Sequence, residues 1–368
     1  MKNIIDDVLT AFDATARGRE ETSLLEKHAL VLYYYARYQA YADEKDLGCL
    51  ETELVRLIEQ TLLDDPVPVH TLCFPIIPDL YRWGLVGIYL HDCITRLDNH
   101  LFAKAMLLLR ENRVSFTGGA AGIVYYFLER LPDPEIENYL HSLAPRLLKA
   151  VSTCFSPGAS LAVSLGMSNG MSGVLLVLIE ACRKGISASE SKEIIRQQLR
   201  RIISCQTEID FSKSRYSIFP ETVDLKSGEG RYSNALTWNS GDLNQSLLFY
   251  RAWQLFDDGH LLQMGDLVGL NTLLRKSQVD TGVTGAGFLA GASGLAGVYG
   301  HLYEVSKHNA YRDGYVYWIN KTVEILAHEQ ATGNCRDRGL DVLHGLTGPA
   351  LVLLAYLHRV KWQRCVLL

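Results

Sequence analysis

Residues 119–128 read Gly-Ala-Ala-Gly-Ile-Val-Tyr-Tyr-Phe-Leu, two glycines three residues apart followed directly by an apolar run. A helix built from such a run is apolar on every side, so it has to be buried. Glycine at a helix entry tolerates unusual backbone angles and lets neighbouring chains approach closely. The stretch therefore predicts a buried helix that begins in a crowded turn.

The same unit recurs along the chain, which makes it an internal repeat. Its copies are Gly84-Leu-Val-Gly87, Gly119-Ala-Ala-Gly122, Gly170-Met-Ser-Gly173, Gly241-Asp-Leu-Asn244, Gly294-Leu-Ala-Gly297 and Gly345-Leu-Thr-Gly348. A degenerate copy without glycines precedes them, where Ser23 leads into the apolar run from His28. Each interval between copies has room for two helices and their loops.

The segments between the repeats carry apolar residues at helical spacing, as at 54, 57, 58 and 62 and at 101, 105, 108 and 109. No alternating strand series is present, so the chain is predicted to be all-α. We expect one domain over residues 1–368, an (α/α) toroid of about seven helical hairpins with inner and outer helical barrels. The glycine-rich helix starts would then lie at one mouth. An open solenoid is the alternative, although its repeats are usually more even in length.

Composition excludes several classes of protein. The 368 residues are 48% hydrophobic and 21% charged, which is ordinary for a globular protein and excludes disorder. The net charge of −5 gives no basic surplus for nucleic acid. No continuous run of apolar residues is long enough to span a membrane, and the eight cysteines form no CxxC pairs. These features predict a cytoplasmic protein with reduced thiols and no membrane span.

Across nearly its whole length the chain resembles the lanthionine synthetase C-like family, the cyclases of lantibiotic maturation, and four passages carry the resemblance most closely. They are residues 114–130, 165–173, 236–244 and 289–303. The resemblance implies a toroid of seven helical hairpins with a zinc ion at its mouth. In the family, zinc binds a peptide cysteine as thiolate, and the sulfur then adds to a dehydroalanine or dehydrobutyrine of the same peptide.

The resemblance also identifies the positions of the zinc ligands, and none of the three is kept. The family's Trp-Cys-x-Gly motif reads Trp238-Asn239-Ser240-Gly241 here, and its Cys-His-Gly motif reads Leu289-Ala290-Gly291. Zinc sites use thiolate, imidazole or carboxylate ligands. An amide and two aliphatic side chains do not replace them, so no zinc cofactor is expected.

The family's acid–base positions are changed as well. Its aspartate, histidine and arginine correspond to Ser115, Asn169 and Ala235, which carry no charge. A general acid or base has to titrate near the working pH, and these side chains do not. The residues therefore predict a pseudoenzyme, a family scaffold without an intact cyclase site.

A relocated metal site is the alternative for zinc. His344 precedes Gly345 in the register of the family's Cys-His-Gly histidine, with Cys335 and His328 earlier in the chain. These residues form no close pair in sequence, and a histidine beside a helix start more often bonds locally.

Two regions are candidates for contact with a peptide. The first is a cavity formed by Asn169, Trp238, Asn239, Asp242 and His344. The second is residues 206–233, the longest irregular polar stretch, which is either a cover over that cavity or a mobile surface loop.

Three functions remain open. The protein binds a precursor peptide or a partner dehydratase of ribosomal peptide maturation, or it is an enzyme with a zinc-free or relocated thiol-addition site, or it is a scaffold with a vestigial cavity. The chain keeps the glycines of the repeat but lacks the family's zinc ligands, and this combination favours the first and third functions.

Overall fold

The computed structural model describes residues 2–17, 23–64, 73–154, 162–332 and 339–362. Helices dominate these ranges, and the prediction of an all-α chain is confirmed. The helices are α1 (Lys2–Arg17), α2 (Leu24–Tyr41), α3 (Glu44–Asp64), α4 (Ile77–Arg82), α5 (Ile88–Arg110), α6 (Ala120–Arg130), α7 (Pro134–Thr153), α8 (Met171–Arg183), α9 (Ala188–Ile203), α10 (Asp242–Phe256), α11 (Gly259–Thr272), α12 (Gln278–Thr281), α13 (Ala292–Ser306), α14 (Asn309–Ala331) and α15 (Thr347–His358). No helix in the described part of the chain is long and apolar enough to cross a membrane.

Helices buried on all sides alternate along the chain with amphipathic ones. In α6, α8, α10 and α15 the first nine residues are buried, and nine consecutive residues of α2 are buried as well. The amphipathic helices between them bury only one face, as the apolar spacing predicts; in α9 that face carries Ile195, Leu199 and Ile202. The degenerate repeat unit at Ser23 also precedes a buried helix, because Ser23 caps the start of α2 with a capping box.

The copy predicted at Gly84 and Gly87 is wrong. It precedes α5, whose first residue, Ile88, is 94% exposed. Gly84 has a φ of +71° in the turn after α4, with open space where a Cβ would lie. The glycine there serves a left-handed turn, a use that glycine spacing alone does not distinguish from a helix entry.

The described chain groups into two compact units. Unit 1 comprises the described residues of 1–66, 76–97 and 283–367, and unit 2 comprises those of 67–75 and 98–282. In unit 1 the buried helix α15 packs against α2 and α13, and in unit 2 α8 packs against α6 and α10. Near the end of unit 1 Trp362 is fully buried, and its indole N–H donates to the Leu351 carbonyl (2.9 Å).

A small antiparallel sheet in unit 2 was not foreseen from the sequence. Its strands are β1 (Ala162–Ser164), β2 (Thr222–Asp224) and β3 (Gly230–Arg231), in that order. The Asp224 carboxylate accepts N–H bonds from Lys226 and Ser227 (both 2.8 Å), which closes the turn between β2 and β3. These N–H groups stabilise the carboxylate and hold the pKa of Asp224 below its usual value.

Candidate functional site

The glycine-rich turns close through one repeated backbone hydrogen bond. In three of the turns, the backbone N–H of a residue at the start of the helix donates to the carbonyl of the residue seven positions earlier. The pairs are Ala120 with Arg113 (2.9 Å), Ala292 with Gly285 (2.9 Å) and Leu346 with Gly339 (3.0 Å). The glycine before that N–H faces the same carbonyl oxygen. A Cβ would lie 2.6 Å from that oxygen at Gly119, 2.5 Å at Gly291 and 2.3 Å at Gly345. Since a side chain would collide with fixed backbone, these positions require glycine.

The fifth predicted repeat is out of register by one helical turn. The glycine that precedes α13 is Gly291, while Gly294 and Gly297 lie inside the helix. Glycine spacing identified the helix, but the requirement for glycine comes from a carbonyl that folding places against it.

Three of these turns lie side by side in unit 2. The Asn239 carbonyl accepts N–H bonds from Met167 (2.9 Å) and Ser168 (3.4 Å), which joins the turn before α10 to the turn before α8. The Thr117 N–H donates to the Ser168 carbonyl (3.0 Å), and the two hydroxyl oxygens lie 2.7 Å apart. The α8 turn is thereby joined to the turn before α6, giving one continuous surface of turn residues.

Ser115, Asn169 and Asn239 belong to these three adjoining turns. Asn169 is exposed and accepts a hydrogen bond from the Thr117 hydroxyl (3.1 Å), whereas Ser115 and Asn239 are half-buried. The Ser115 Oγ and the Asn169 Oδ1 each lie 3.4 Å from where a Cβ on Gly118 would be. The resulting surface is polar and uncharged at these side chains.

Ala235 opens the turn that contains Asn239. It is half-buried, and its carbonyl oxygen would lie 2.5 Å from a Cβ on Gly241, whose φ is +106°. Its methyl group supplies neither a proton nor a charge to this turn.

Trp238 and Asp242, two of the cavity candidates, are fully buried in unit 2. Asp242 forms an ion pair with Arg275 and accepts backbone N–H bonds from Ile218 (3.1 Å) and Phe219 (3.0 Å). Burial raises the pKa of Asp242, and Arg275 opposes that shift. With its oxygens occupied in this way, Asp242 stabilises the loop; it does not present a carboxylate at the surface.

This ion pair fixes residues 206–233, which are described throughout. Arg275 and Asn271 both donate to the Tyr216 carbonyl (2.7 and 3.0 Å). Tyr232 donates to the Cys205 carbonyl (3.1 Å). The segment is thus anchored to α10, to α11 and the chain after it, and to its own ends, which favours an ordered element over a mobile loop.

The segment brings a carboxylate that sequence reasoning missed to the turn surface. Glu221 lies beside β2, where its carbonyl accepts from the Leu165 N–H and its N–H donates to the Arg231 carbonyl (both 2.9 Å). The Ser240 hydroxyl donates to Glu221 Oε1 over 3.4 Å. The only signal in the sequence was the short β-branched run Thr222-Val223, too brief to predict a strand by itself.

In unit 1 the turns before α13 and α15 adjoin one another. The Leu289 N–H donates to the Leu343 carbonyl (2.8 Å). Leu289 is half-buried, and Ala290 and His344 are exposed. The His344 N–H donates to Asp341 Oδ1 (2.7 Å), and its ring Nδ1 lies 3.3 Å from the same oxygen. The histidine therefore bonds locally in its own turn.

The positions that the resemblance assigns to the zinc ligands carry side chains that do not fit zinc. Asn239 offers an amide, and Leu289 and Ala290 offer no donor atom in their side chains. Among the described residues, no group of three His, Cys, Asp or Glu side chains could hold a metal ion. Cys335 of the alternative site lies outside the described residues, and His328 is exposed on α14.

Three half-buried or buried cysteines show no sign of activation. Burial raises the pKa of the Cys154, Cys182 and Cys205 thiols above the usual value. Because the thiolate is the reactive form, these cysteines are poor nucleophiles.

Comparison with known proteins agrees with the all-α fold. A family model described as lanthionine synthetase C-like protein matches residues 89–367. A solved structure of "Nisin cyclase" matches with a TM-score of 0.74 at 15% identity, covering 100% of this chain and 97% of that one. Similarity at this identity establishes the fold alone, and it confirms the predicted (α/α) toroid fold. No curated protein sequence matches significantly.

Proposed function

We propose that this chain, which belongs to the lanthionine synthetase C-like family, binds a precursor peptide of lantibiotic-type maturation without activating its thiols through zinc. The observation that carries the proposal is the surface of adjoining turns in unit 2. The backbone frame of these turns is kept by obligatory glycines, while Ser115, Asn169 and Asn239 stand at the family's reactive positions.

The chemistry of these side chains supports binding over thiol addition. A cysteine thiol with a pKa near 8.5 is only a few per cent thiolate at neutral pH, so addition needs a metal or a base to ionise it. Asn169, Ser115 and Ala235 supply neither, and they also supply no proton to the enol that addition leaves behind.

Amides and hydroxyls at a turn surface are suited to a peptide backbone. Asn169 and Asn239 each carry two N–H donors and one acceptor oxygen, and Ser115 adds a hydroxyl. Such groups pair with the N–H and C=O of an extended peptide whatever its side chains. Binding with modest sequence selectivity is the expected behaviour.

The decisive experiment measures binding and thiol loss on the same samples. A dehydrated, cysteine-containing peptide with a fluorescent label is titrated with the protein, and free thiols are then counted by alkylation and mass spectrometry. We expect saturable binding with thiol loss no faster than in a no-protein control, with or without added zinc. Faster thiol loss with the wild-type protein would instead establish an active enzyme.

Variants locate the binding surface. Asn169→Ala and Asn239→Ala should each weaken peptide binding severalfold, because each removes donors and an acceptor. Asn309→Ala, an exposed asparagine at the start of α14, is the matched control and should bind as wild type. If no peptide binds but a partner dehydratase does, the protein acts as a partner-binding scaffold and the peptide proposal fails.

A further inference from the structure

Glu221 is the carboxylate that the sheet in unit 2 holds against the turn surface. Backbone hydrogen bonds fix it on both sides, to Leu165 and to Arg231 (both 2.9 Å). Its side chain is 18% exposed, so it is largely withdrawn from solvent yet still reachable. Ser240, its partner across the turn, directly follows Asn239.

The Glu221 carboxylate is weakly satisfied by its neighbours. The Ser240 hydroxyl lies 3.4 Å from Oε1, and the Arg231 guanidinium lies 3.8 Å from Oε2. An ionised carboxylate accepts about four hydrogen bonds, and those to charged donors are ordinarily about 2.7–2.9 Å long. The two contacts therefore leave most of its accepting capacity unused.

Arg231 is a partner that a ligand is able to displace. Its side chain is 80% exposed, and an exposed ion pair at this separation contributes little because water and salt screen it. Arg231 leaves the carboxylate at small cost when another cation approaches from solvent.

We infer that Glu221 is a specificity-determining residue of the peptide site, whose carboxylate binds a cationic group of the peptide in exchange for Arg231. The inference rests on the proposed function, since it names which peptides the turn surface prefers. The group is either a lysine or arginine side chain or a free amino terminus, because all present a cationic N–H donor.

The test uses three labelled synthetic peptides of one serine- and cysteine-containing sequence. The first carries a single lysine and an acetylated amino terminus. The second replaces that lysine with norleucine, and the third is the norleucine peptide with a free amino terminus. Dissociation constants are measured by fluorescence anisotropy at low and at physiological salt.

We expect the wild-type protein to bind a cationic peptide about fivefold more tightly than the neutral one, a preference that shrinks with salt. Preference for the first peptide identifies a side-chain cation, and preference for the third identifies the amino terminus. Glu221→Gln should remove the preference, so that the cationic and neutral peptides bind this variant with similar affinity. Arg231→Gln should increase the preference for the cationic peptide, because this variant lacks the guanidinium that competes for the Glu221 carboxylate.

Glu229→Gln is the matched control, since Glu229 is an exposed glutamate next to β3 and carries the same charge. It should keep the wild-type preference. The inference is overturned if Glu221→Gln keeps the preference, or if the wild-type protein binds all three peptides equally. Failure of the wild-type protein to bind any of them refutes the proposed function itself, and the inference with it.

Discussion

Replacing Gly170 with alanine tests the turn that precedes α8. A Cβ there would lie 2.3 Å from the Gly166 nitrogen, 2.6 Å from the Gly166 oxygen and 2.8 Å from the Ser164 oxygen. All three are backbone atoms of a turn that is bonded on both sides, so none moves aside as a flexible side chain would. The φ of Gly170 is −126°, a value that alanine adopts freely, so the substitution isolates the steric effect.

The expected loss follows from those contacts. Ordinary contacts begin near 3.4 Å, so the turn has to open by about 1 Å. Overpacking of this kind costs about 1–3 kcal/mol, and three simultaneous backbone contacts put Gly170→Ala at or above the upper end. Alanine regains about 0.5–1 kcal/mol by restricting the unfolded chain. The net loss of stability is therefore about 2–3 kcal/mol.

Gly48→Ala is the matched control. Gly48 lies inside α3 with no atom within 4 Å of its would-be Cβ, so alanine should stabilise the protein by about 0.5–1 kcal/mol. The urea concentration at the midpoint of unfolding, measured by far-UV circular dichroism, should be lower for Gly170→Ala and higher for Gly48→Ala than for the wild-type protein. Equal midpoints for Gly170→Ala and the wild-type protein would refute the steric reasoning for these turns.

Three further substitutions test the interior. Arg275→Met leaves the buried Asp242 carboxylate unpaired and should cost about 3–5 kcal/mol in urea unfolding, whereas Arg275→Met with Asp242→Asn should recover part of that loss. Burial raises the pKa of Asp98 to about 6 despite Arg130, so the folded state binds the proton more tightly than the unfolded state. The stability difference between the wild-type protein and Asp98→Asn should therefore shift in favour of the wild type by at most about 3 kcal/mol as the pH falls from 7 to 4, as measured by unfolding at each pH. Trp362→Ala should lower stability by about 3–5 kcal/mol and reduce the melting temperature, because the indole is fully buried; Leu107→Ala, at an exposed leucine, should change it little.

The helices were predictable because their signal is local. The run from Gly119 to Leu128 is apolar at every position, and burial on all sides follows from the chain itself. Amphipathic helices such as α9 are likewise recognisable from the spacing of Ile195, Leu199 and Ile202. The resemblance to the family, and the uncharged residues at its reactive positions, were also readable directly from the chain.

The sequence by itself determined the all-α class, the repeat and the residues at the family's site, because these depend on side-chain type and short spacing. Only the folded structure decided that Gly291, not Gly294, is the glycine that precedes α13, since the need for glycine arises from the position of a carbonyl six residues earlier. It also decided that Asp242 pairs with Arg275, 33 residues later, and that Glu221, beside a very short strand, meets Ser240 of the turn before α10. The Asp242–Arg275 and Glu221–Ser240 contacts join residues 33 and 19 positions apart, and only folding brings them within hydrogen-bonding distance.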